Sequence, residues 1–439
     1  MNRSLVLTLL LAGCAPPALQ AQLVPAGVPA AAANDRVLLA LYTTGSDFED
    51  DVDPADGVPD EQASGKLQPK GAASDDLREI VAGIQALSPA RRARTQVLVM
   101  MGGARKQGWR GTKLLDGEAL VRDAADGYFG NLPAGDYMEV RPEGRMNDPA
   151  SLQRFLGLVR QHGEGVGTVI VELAGHGCSY AGMGEDENQP EGRRWIPLPA
   201  IAGAIHASGV HGAILTFPAC HMASLEVARA VGAPFKYLVG SEEGMSAEGW
   251  NYRTVFAALG RPAEAVARTY ADSLVDDPLH QQTNYKTCSV TDLPKAQAIF
   301  PALDAWSGAV DLAQDAEPLV SASKACKGFG IDEPTDAAVS IDAITYFKRV
   351  AARSARLRAA SERVAALAAA AVVHHRHDPG YEEALGLSIY PPHVRVPTGE
   401  EAWYGLDVAA SHGFWPVIEG LRPLLPAAPG RPTEKRRVR

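Results

Sequence analysis

Residues 168–177, which read TVIVELAGHG, decide the fold of this chain. The first seven are rich in β-branched and other large apolar side chains, which predicts a buried strand over residues 168–174. Two glycines flank a histidine directly after this run, and they predict a loop that leaves the strand. We therefore expect a strand whose carboxyl end presents His176 at the edge of a sheet.

Strands and helices are predicted to alternate on both sides of this segment. Further short apolar runs predict strands over residues 37–42, 97–101, 213–217 and 237–240. Apolar residues at helical spacing predict helices over residues 74–87, 199–207 and 222–231, and a helix that begins at Pro149 after the capping Asp148. Such alternation is typical of a largely parallel sheet with helices on both faces, so the predicted fold class is α/β.

The rest of the sequence suggests how the chain is divided. Residues 341–374 are predicted to be mostly helical, and residues 386–390 to form a last strand. Four prolines and a basic end predict a disordered tail. The predicted regions are a targeting segment at 1–13, a flexible tether at 14–34, an α/β core at 35–300, a C-terminal helical subdomain with a returning strand at 301–422, and the tail at 423–439.

Composition excludes several classes of protein. The chain has 439 residues, of which 46% are hydrophobic and 21% charged, so it can bury a large core and is not predicted to be disordered as a whole. Its formal net charge of -10 repels the phosphates of nucleic acids. The basic run at residues 435–439 is better explained as a solvated tail. We therefore expect no nucleic-acid partner and predict a monomer.

The amino terminus reads as a targeting signal. Arg3 precedes an apolar stretch over residues 5–12 that is too short to span a bilayer. The sequence LAGC then resembles the lipobox of bacterial lipoproteins, in which the cut falls before the cysteine, here Cys14. The alternative is an ordinary secretory signal that is cut near Ala18 or Ala21. The favoured prediction is a lipid on Cys14 and a place in the cell envelope, on the periplasmic or outer-surface face of a bacterial membrane.

If Cys14 carries lipid, four cysteines remain, at positions 178, 220, 288 and 326. They are enough for two disulfides in an oxidising compartment. No Cys-x-x-Cys pair occurs, so their spacing matches no zinc pattern. The alternative is that at least one cysteine stays free for chemistry.

Two reactive side chains follow successive predicted strands. His176 comes two residues after the strand at 168–174, and Cys220 comes three residues after the strand at 213–217. In open α/β sheets, ligands bind beyond the carboxyl ends of the strands, where these residues meet if the strands are neighbours. Cys220 also precedes the helix predicted at 222–231, whose positive end is expected to lower the pKa of the thiol. A thiolate with an imidazole beside it favours covalent acyl transfer.

Several stretches together resemble the clostripain-like cysteine peptidases, a family with a caspase-like fold. The resemblance runs from about residue 35 to about residue 417. It is carried by the following stretches: GRMNDP at 144–149, HG at 176–177, ACHMASLEVA at 219–228, YLVGSEE at 237–243, GWNY at 249–252, CSVTDL at 288–293 and GLSIYP at 386–391.

The resemblance implies a three-layer sandwich that hydrolyses peptide bonds in proteins or peptides. Cys220 corresponds to the nucleophile and His176 to the general base and acid. The backbone N–H groups of Gly177 and Cys220 correspond to those that face the developing oxyanion. The family pattern suggests no orienting carboxylate for the histidine.

The sequence departs from the family at positions that contact substrate. Pro218 stands where the family commonly has an aspartate that binds an Arg or Lys side chain. Glu248 is either a replacement pocket acid or a solvated loop residue. Gly175 stands where the family often has Asp. We therefore expect no strict preference for basic residues, and no self-cleavage at the Arg193-Arg194 pair.

Two other clusters are weaker candidates. The acidic residues 47–61 supply oxygen ligands for calcium, but Ala55 stands where the strict calcium-loop register needs a carboxylate. No cofactor is otherwise indicated. The residues HHRHD at 374–378 form either a metal site or, by the favoured interpretation, the polar end of the preceding helix.

A second class of function stays open, a catalytically silent, lipid-anchored binding protein on a peptidase fold. Pro218 and Gly175 favour it, because loss of pocket residues is how such a drift would begin. The presence of both His176 and Cys220 favours the enzyme.

Overall fold

The computed structural model describes residues 34–49, 71–126, 129–188, 195–246, 249–276, 286–332, 337–394 and 414–425. The predicted signal peptide, almost all of the predicted tether and most of the predicted tail lie outside these ranges. The predicted boundary near residue 300 stays a prediction.

Strands are numbered here in chain order. They are β1 (Val37–Thr44), β2 (Thr95–Gly102), β3 (Thr112–Asp116), β4 (Glu139–Arg141), β5 (Thr168–Ala174), β6 (Gly212–Thr216), β7 (Phe235–Gly240), β8 (Thr287–Asp292), β9 (Gly328–Asp332), β10 (Ala337–Asp342), β11 (Val372–His377) and β12 (Ser388–Ile389).

In the described part of the chain, nine strands form the central sheet, in the order β11-β8-β7-β6-β5-β1-β2-β3-β4. The five inner strands from β7 to β2 are parallel to one another. The strands outside them pair antiparallel. The α/β fold class and all five strands predicted in this region are confirmed.

Helices are likewise numbered in chain order. They are α1 (Ala72–Ala86), α2 (Pro89–Arg92), α3 (Gly117–Asp123), α4 (Pro149–His162), α5 (Leu198–Ser208), α6 (Leu225–Val231), α7 (Tyr252–Ala258), α8 (Ala263–Asp276), α9 (Leu293–Ala296), α10 (Ile299–Ala309), α11 (Leu312–Lys324), α12 (Ala343–Arg353), α13 (Arg358–Ala371) and α14 (Trp415–Leu421).

The structure confirms two helix ends that the sequence predicted and corrects a third. The Asp148 side chain caps α4, whose first residue is Pro149. Gly209 ends α5 in the left-handed conformation that glycine adopts without strain. The helix predicted at 222–231 begins only at Leu225, because the Ser224 hydroxyl accepts the N–H of Val227 and caps the helix there.

Alternation along the strands divides the core into two layers. In β1, Leu39 and Leu41 pack on one face of the sheet with residues of α1, α7 and α8. Leu38 and Ala40 pack on the other face with residues of α4, α5 and α6. Successive side chains of a strand point to opposite faces, so a fully apolar strand needs a helical layer on each side. The three-layer sandwich is therefore confirmed.

The C-terminal part corrects one sequence interpretation. Residues 374–377 were expected to end a helix, but they belong to β11, which pairs antiparallel with β8. The β-branched Val372 and Val373 follow the alanine-rich α13, and strand geometry suits them better than helix. His374 then bonds to Asp272 of α8 at 2.8 Å, and Arg376 bonds to the same carboxylate.

A second, three-stranded sheet in the order β12-β10-β9 contains the last predicted strand, shortened to Ser388–Ile389. A third apolar cluster, which includes Trp306, Phe347 and Phe414, fills the space between the C-terminal helices. Among the described residues, no helix combines the length and the apolar character that crossing a bilayer requires.

One buried carboxyl group lies in the middle of the central sheet. Glu172 of β5 is fully buried and accepts the hydroxyl protons of Tyr252, at 2.8 Å, and of Tyr270. Burial raises the pKa of Glu172 to about 7, although the two tyrosine hydrogen bonds oppose the shift. The folded protein therefore holds a proton on this group that an unfolded chain releases at lower pH.

Replacing Glu172 with Gln should remove a pH dependence of stability. Because its pKa rises from an ordinary 4.5 to about 7 on folding, the stabilising proton is lost as pH rises through 7. Between pH 5 and pH 8 the free energy of unfolding of the wild type should fall by roughly 2 to 3 kcal/mol more than that of Glu172→Gln. Denaturant unfolding at both pH values measures this, with the exposed Glu118→Gln as control. If the free energies of unfolding of wild type and Glu172→Gln change equally with pH, the raised pKa of Glu172 is contradicted.

Candidate active site

The carboxyl ends of β5 and β6 bring His176 and Cys220 onto adjacent loops. The two strands are parallel neighbours, with Glu172 opposite Thr216. Just beyond them the N–H of Gly175 donates to the carbonyl oxygen of Pro218 at 3.3 Å. The neighbouring positions of these strands, on which the sequence prediction depended, are therefore confirmed.

Gly177 lies directly against the loop of the predicted nucleophile. A Cβ atom at this position would lie 2.8 Å from the carbonyl oxygen of Cys220 and 2.9 Å from the Cβ of Ala219. Only glycine lets the two loops approach so closely without a shift of the backbone. In the described part of the chain, the N–H groups of Gly177 and Cys220 donate no hydrogen bond to another main-chain group, and the N–H of Cys220 interacts with its own thiol.

His176 is held by an aspartate that sequence reasoning missed. Its Nε2 lies 2.6 Å from Oδ1 of Asp47, in the short 3-10 turn that directly follows β1. The ring of Phe48 stacks on the imidazole with 4.2 Å between centroids. An acidic residue just after a strand was visible in the sequence, but the pairing of β1 with β5, which brings it to the histidine, was not.

The charges of this pair reinforce each other. Burial lowers the pKa of His176, but the hydrogen bond and charge of Asp47, with the charges of Glu185 and Glu187, raise it overall. The hydrogen bond from His176 in turn lowers the pKa of Asp47. The site thus stabilises a protonated imidazole, which a proton-transferring histidine must become during the reaction.

Cys220 is half-buried, and its Sγ accepts the N–H of Met245 at 3.2 Å. Burial raises the pKa of the thiol, although the N–H of Met245 opposes the shift. The expectation that a helix end lowers this pKa is wrong, because α6 begins five residues later, at Leu225. The thiol therefore needs a base to remove its proton.

The residue after the cysteine fixes the shape of the loop. His221 is buried and has φ of +61°, a left-handed conformation that is uncommon outside glycine. Its Nδ1 donates to the carbonyl oxygen of Glu242 at 2.9 Å, and its N–H donates to the carbonyl oxygen of Glu243 at 3.1 Å. These bonds join the nucleophile loop to the end of β7.

The same two glutamates tie the C-terminal part of the chain to the site. Glu242 accepts the N–H of Gly386 at 2.7 Å, and Glu243 accepts the N–H of Gly330 at 2.8 Å. Burial and the neighbouring Asp342 raise the pKa of Glu242 well above its ordinary value. Burial raises the pKa of Asp342 as well, so both carboxyl groups hold a proton more tightly than exposed ones do.

The other predicted site residues are placed differently. Pro218 is buried, and its carbonyl oxygen joins the two loops as described above. Glu248 and Cys14 lie outside the described residues, as does the Arg193-Arg194 pair. Gly175 has φ of +135°, and a Cβ there would collide with the hydroxyl of Thr44. The aspartate that the family often has at this position therefore does not fit this chain.

Acidic residues at the start of the predicted calcium loop already have protein partners. Asp47 bonds to His176, and Glu49 bonds to Ser74 and Lys106. Residues 50–61 lie outside the described ranges, so calcium binding stays a prediction. Within the described residues, no three His, Cys, Asp or Glu side chains are grouped to hold a metal ion.

No disulfide joins the four described cysteines, so neither disulfide of the first alternative is formed. Cys288 is buried, and the other three are half-buried. A cysteine nucleophile requires a thiol that takes part in no disulfide, and Cys220 meets this requirement.

A model of the clostripain family matches residues 68–359. The chain belongs to the clostripain family. It is therefore a cysteine peptidase, a hydrolase that acts on proteins or peptides. No curated protein matches the chain.

Solved structures of C11 proteases share the fold. A secreted C11 cysteine protease from Bacteroides thetaiotaomicron, in complex with an irreversible peptide inhibitor, is 15% identical with a TM-score of 0.58 and covers 88% of this chain and 99% of its own. An inactive zymogen C11 protease from Parabacteroides distasonis is 16% identical with a TM-score of 0.57 and covers 89% and 99%.

Asp47→Asn should keep a hydrogen bond to His176 but remove the charge that raises its pKa. Because the neutral imidazole is the base, the acidic limb of the pH profile of kcat/KM should move to lower pH, with activity at the optimum about tenfold lower. Asp75→Asn removes an exposed carboxylate that pairs with Arg78 instead, and it should leave the profile unchanged. An unchanged acidic limb in Asp47→Asn would refute the role of Asp47.

Proposed function

We propose that this chain is a monomeric, lipid-anchored endopeptidase that cleaves peptide bonds through a Cys220–His176 dyad and a thioester acyl-enzyme. The observation that carries the proposal is the contact between the two loops, in which Gly177 lies against the main chain of Cys220. This contact supports a site in which Cys220 acts as nucleophile, His176 as base, and the N–H groups of Gly177 and Cys220 as oxyanion donors.

The first step needs the histidine as a base. The buried thiol of Cys220 keeps its proton at neutral pH, because burial raises its pKa. Asp47 occupies Nε2 of His176, which leaves Nδ1 to take the proton from sulfur. The thiolate then forms a bond to the scissile carbonyl carbon, and the carboxylate of Asp47 stabilises the imidazolium that results.

The second step breaks the peptide bond. The N–H groups of Gly177 and Cys220 donate to the oxyanion of the tetrahedral intermediate. As the C–N bond breaks, His176 returns the proton to the leaving amine, and the acyl group stays on sulfur as a thioester. A water molecule, deprotonated by the same imidazole, then attacks the thioester carbon and releases the acid and the free thiol.

Preference at the cleavage site follows from the residues around the cysteine. Pro218 offers no charge to a basic side chain. A second acid, Asp76 of α1, lies against Gly249, but burial and the neighbouring carboxylates raise its pKa well above the ordinary value, which weakens it as a partner for a basic side chain. Glu248 remains the other candidate acid. We expect the enzyme to show no strict preference for Arg or Lys.

Cys220→Ala and His176→Ala should each lower kcat/KM on a peptide library by more than about a thousandfold, without loss of the fold. The double variant should lose little more than either single variant, because nucleophile and base act as one unit. Cys326→Ala, at another half-buried free cysteine, serves as the matched control and should keep full activity.

The silent binding protein makes the opposite prediction in the same assay. If wild type cleaves no peptide of the library and a thiol-directed active-site probe does not label Cys220 selectively, the peptidase proposal fails. A strong Arg or Lys preference that disappears in Asp76→Asn would contradict only the expected specificity.

The anchor rests on the LAGC sequence that ends at Cys14. In Cys14→Ser the lipid has no attachment site, so the protein should move from the membrane pellet to the soluble fraction and lose label from an alkyne fatty acid. Cys326→Ser should remain in the pellet. A Cys14→Ser protein that stays membrane-bound after a carbonate wash would overturn the lipoprotein assignment.

A further inference from the structure

Four arginines gather at the amino-terminal edge of the central sheet, opposite the catalytic residues. They are Arg36, Arg91, Arg92 and Arg94, here called the arginine cluster. The N–H of Val37 donates to the carbonyl oxygen of Arg94 at 2.8 Å, so the starts of β1 and β2 lie side by side. The cluster therefore surrounds the point where the chain enters the sheet.

Asp35 pairs with two of these arginines. Asp35 bonds to Arg94 at 2.7 Å and to Arg91 at 3.3 Å. Arg36 and Arg92 are exposed, and no side-chain hydrogen bond or ion pair of either is found in the described part of the chain. The five side chains of Asp35 and the four arginines therefore carry a net charge of three positive units.

The opposite edge of the sheet carries acidic side chains around His176, together with Arg105, which pairs with Glu187 at 3.5 Å. Asp47, Glu185 and Glu187 surround His176 there, and their charges act on its imidazole. The eight residues of β1 separate the two edges by about 25 Å. The net charge of the chain is -10, so the arginine cluster is a positive patch on a negatively charged protein.

The arginine cluster also lies where the predicted tether joins the described chain. Asn34, the first described residue, donates its side-chain amide to the carbonyl oxygen of Gly165 at 2.7 Å. Cys14 precedes Asn34 by 20 positions, which limits their distance to about 70 Å. A lipid on Cys14 would therefore hold the described chain within reach of a bilayer, and surface charge would decide which edge faces it.

We propose that the arginine cluster binds the phosphate groups of anionic phospholipids and seats the enzyme on the membrane with its active site turned away. The proposal rests on the lipid anchor of the proposed function. Guanidinium groups bind phosphate oxygens through paired N–H donors, and basic residues next to a membrane anchor add to its hold on an anionic surface.

The same charges oppose the inverted orientation. An anionic surface repels the acidic edge around Asp47 and attracts the arginine cluster, so the two effects turn the molecule the same way. With this orientation the loops of His176 and Cys220 face the surrounding medium. We then expect the enzyme to favour soluble proteins and peptides as substrates. A substrate segment embedded in the membrane would lie at the arginine cluster, away from the active site.

Binding to vesicles tests the surface apart from the anchor and from catalysis. The full chain with Cys14→Ser, which carries no lipid, is sedimented with vesicles of phosphatidylcholine alone or with added phosphatidylglycerol. We expect binding only to the anionic vesicles, weaker at high salt. Arg36→Gln with Arg92→Gln should weaken it about thirtyfold. Arg358→Gln with Arg363→Gln, at exposed arginines of α13, is the charge-matched control and should bind like the parent.

Amide hydrogen exchange of the parent chain on the anionic vesicles locates the contact. Exchange should slow in residues 88–94 and not in the loops at 44–49 and 176–184.

Three results of the vesicle experiment would overturn the proposal: equal binding to neutral vesicles, no binding at all, or equal binding by both double variants. The proposal would also fail if soluble polyphosphate slowed exchange in residues 88–94 while the chain bound no vesicles. That result would identify a soluble anion as the ligand. Peptidase activity on a soluble peptide should be the same in both double variants, so a failure here leaves the proposed function untouched.

Discussion

The parallel pairing of β5 with β6 is the constraint on which the active site depends. Parallel strands end at the same edge, so the residues that follow β5 and β6, His176 and Cys220, come to adjacent loops. The hydrogen bond from Gly175 to Pro218 extends this pairing past the last ladder residues. Gly177 then lies against the main chain of Cys220, where any side chain would push the loops apart. The inner strands are buried on both faces, so the two layers of helices hold this geometry rigid.

Electrostatics in the site favour proton transfer from a resting thiol over a permanent thiolate. Burial raises the pKa of Cys220, and the cap at Ser224 starts α6 too far along the chain to offset it. The pKa of His176 moves upward as well, because the charge of Asp47 outweighs the effect of burial. An enzyme built this way keeps its nucleophile protonated, and therefore less open to oxidation, until a substrate is bound.

Support for the nucleophile comes from the far end of the sequence. His221 adopts a left-handed conformation that costs free energy in a non-glycine residue, and two hydrogen bonds to the end of β7 offset that cost. The carboxyl groups of Glu242 and Glu243 in turn bind N–H groups of Gly386 and Gly330. Residues more than 100 positions after Cys220 thus help to hold its loop in place. The C-terminal part of the chain therefore contributes to the structure of the site.

The sequence by itself determined the inner strands and the caps at Asp148 and Gly209, because periodicity and capping are local properties of the chain, and it named His176 and Cys220 as candidates. Its errors lie where distant segments decide. Residues 374–377 pair with β8 instead of ending a helix, and Asp47 reaches His176 only because β1 lies beside β5. The pKa of Cys220 likewise depends on burial, which no local pattern reports. Strand order and burial are set by contacts between residues far apart in the chain, so only the tertiary structure could decide which carboxylate orients the histidine and which protonation state the cysteine rests in.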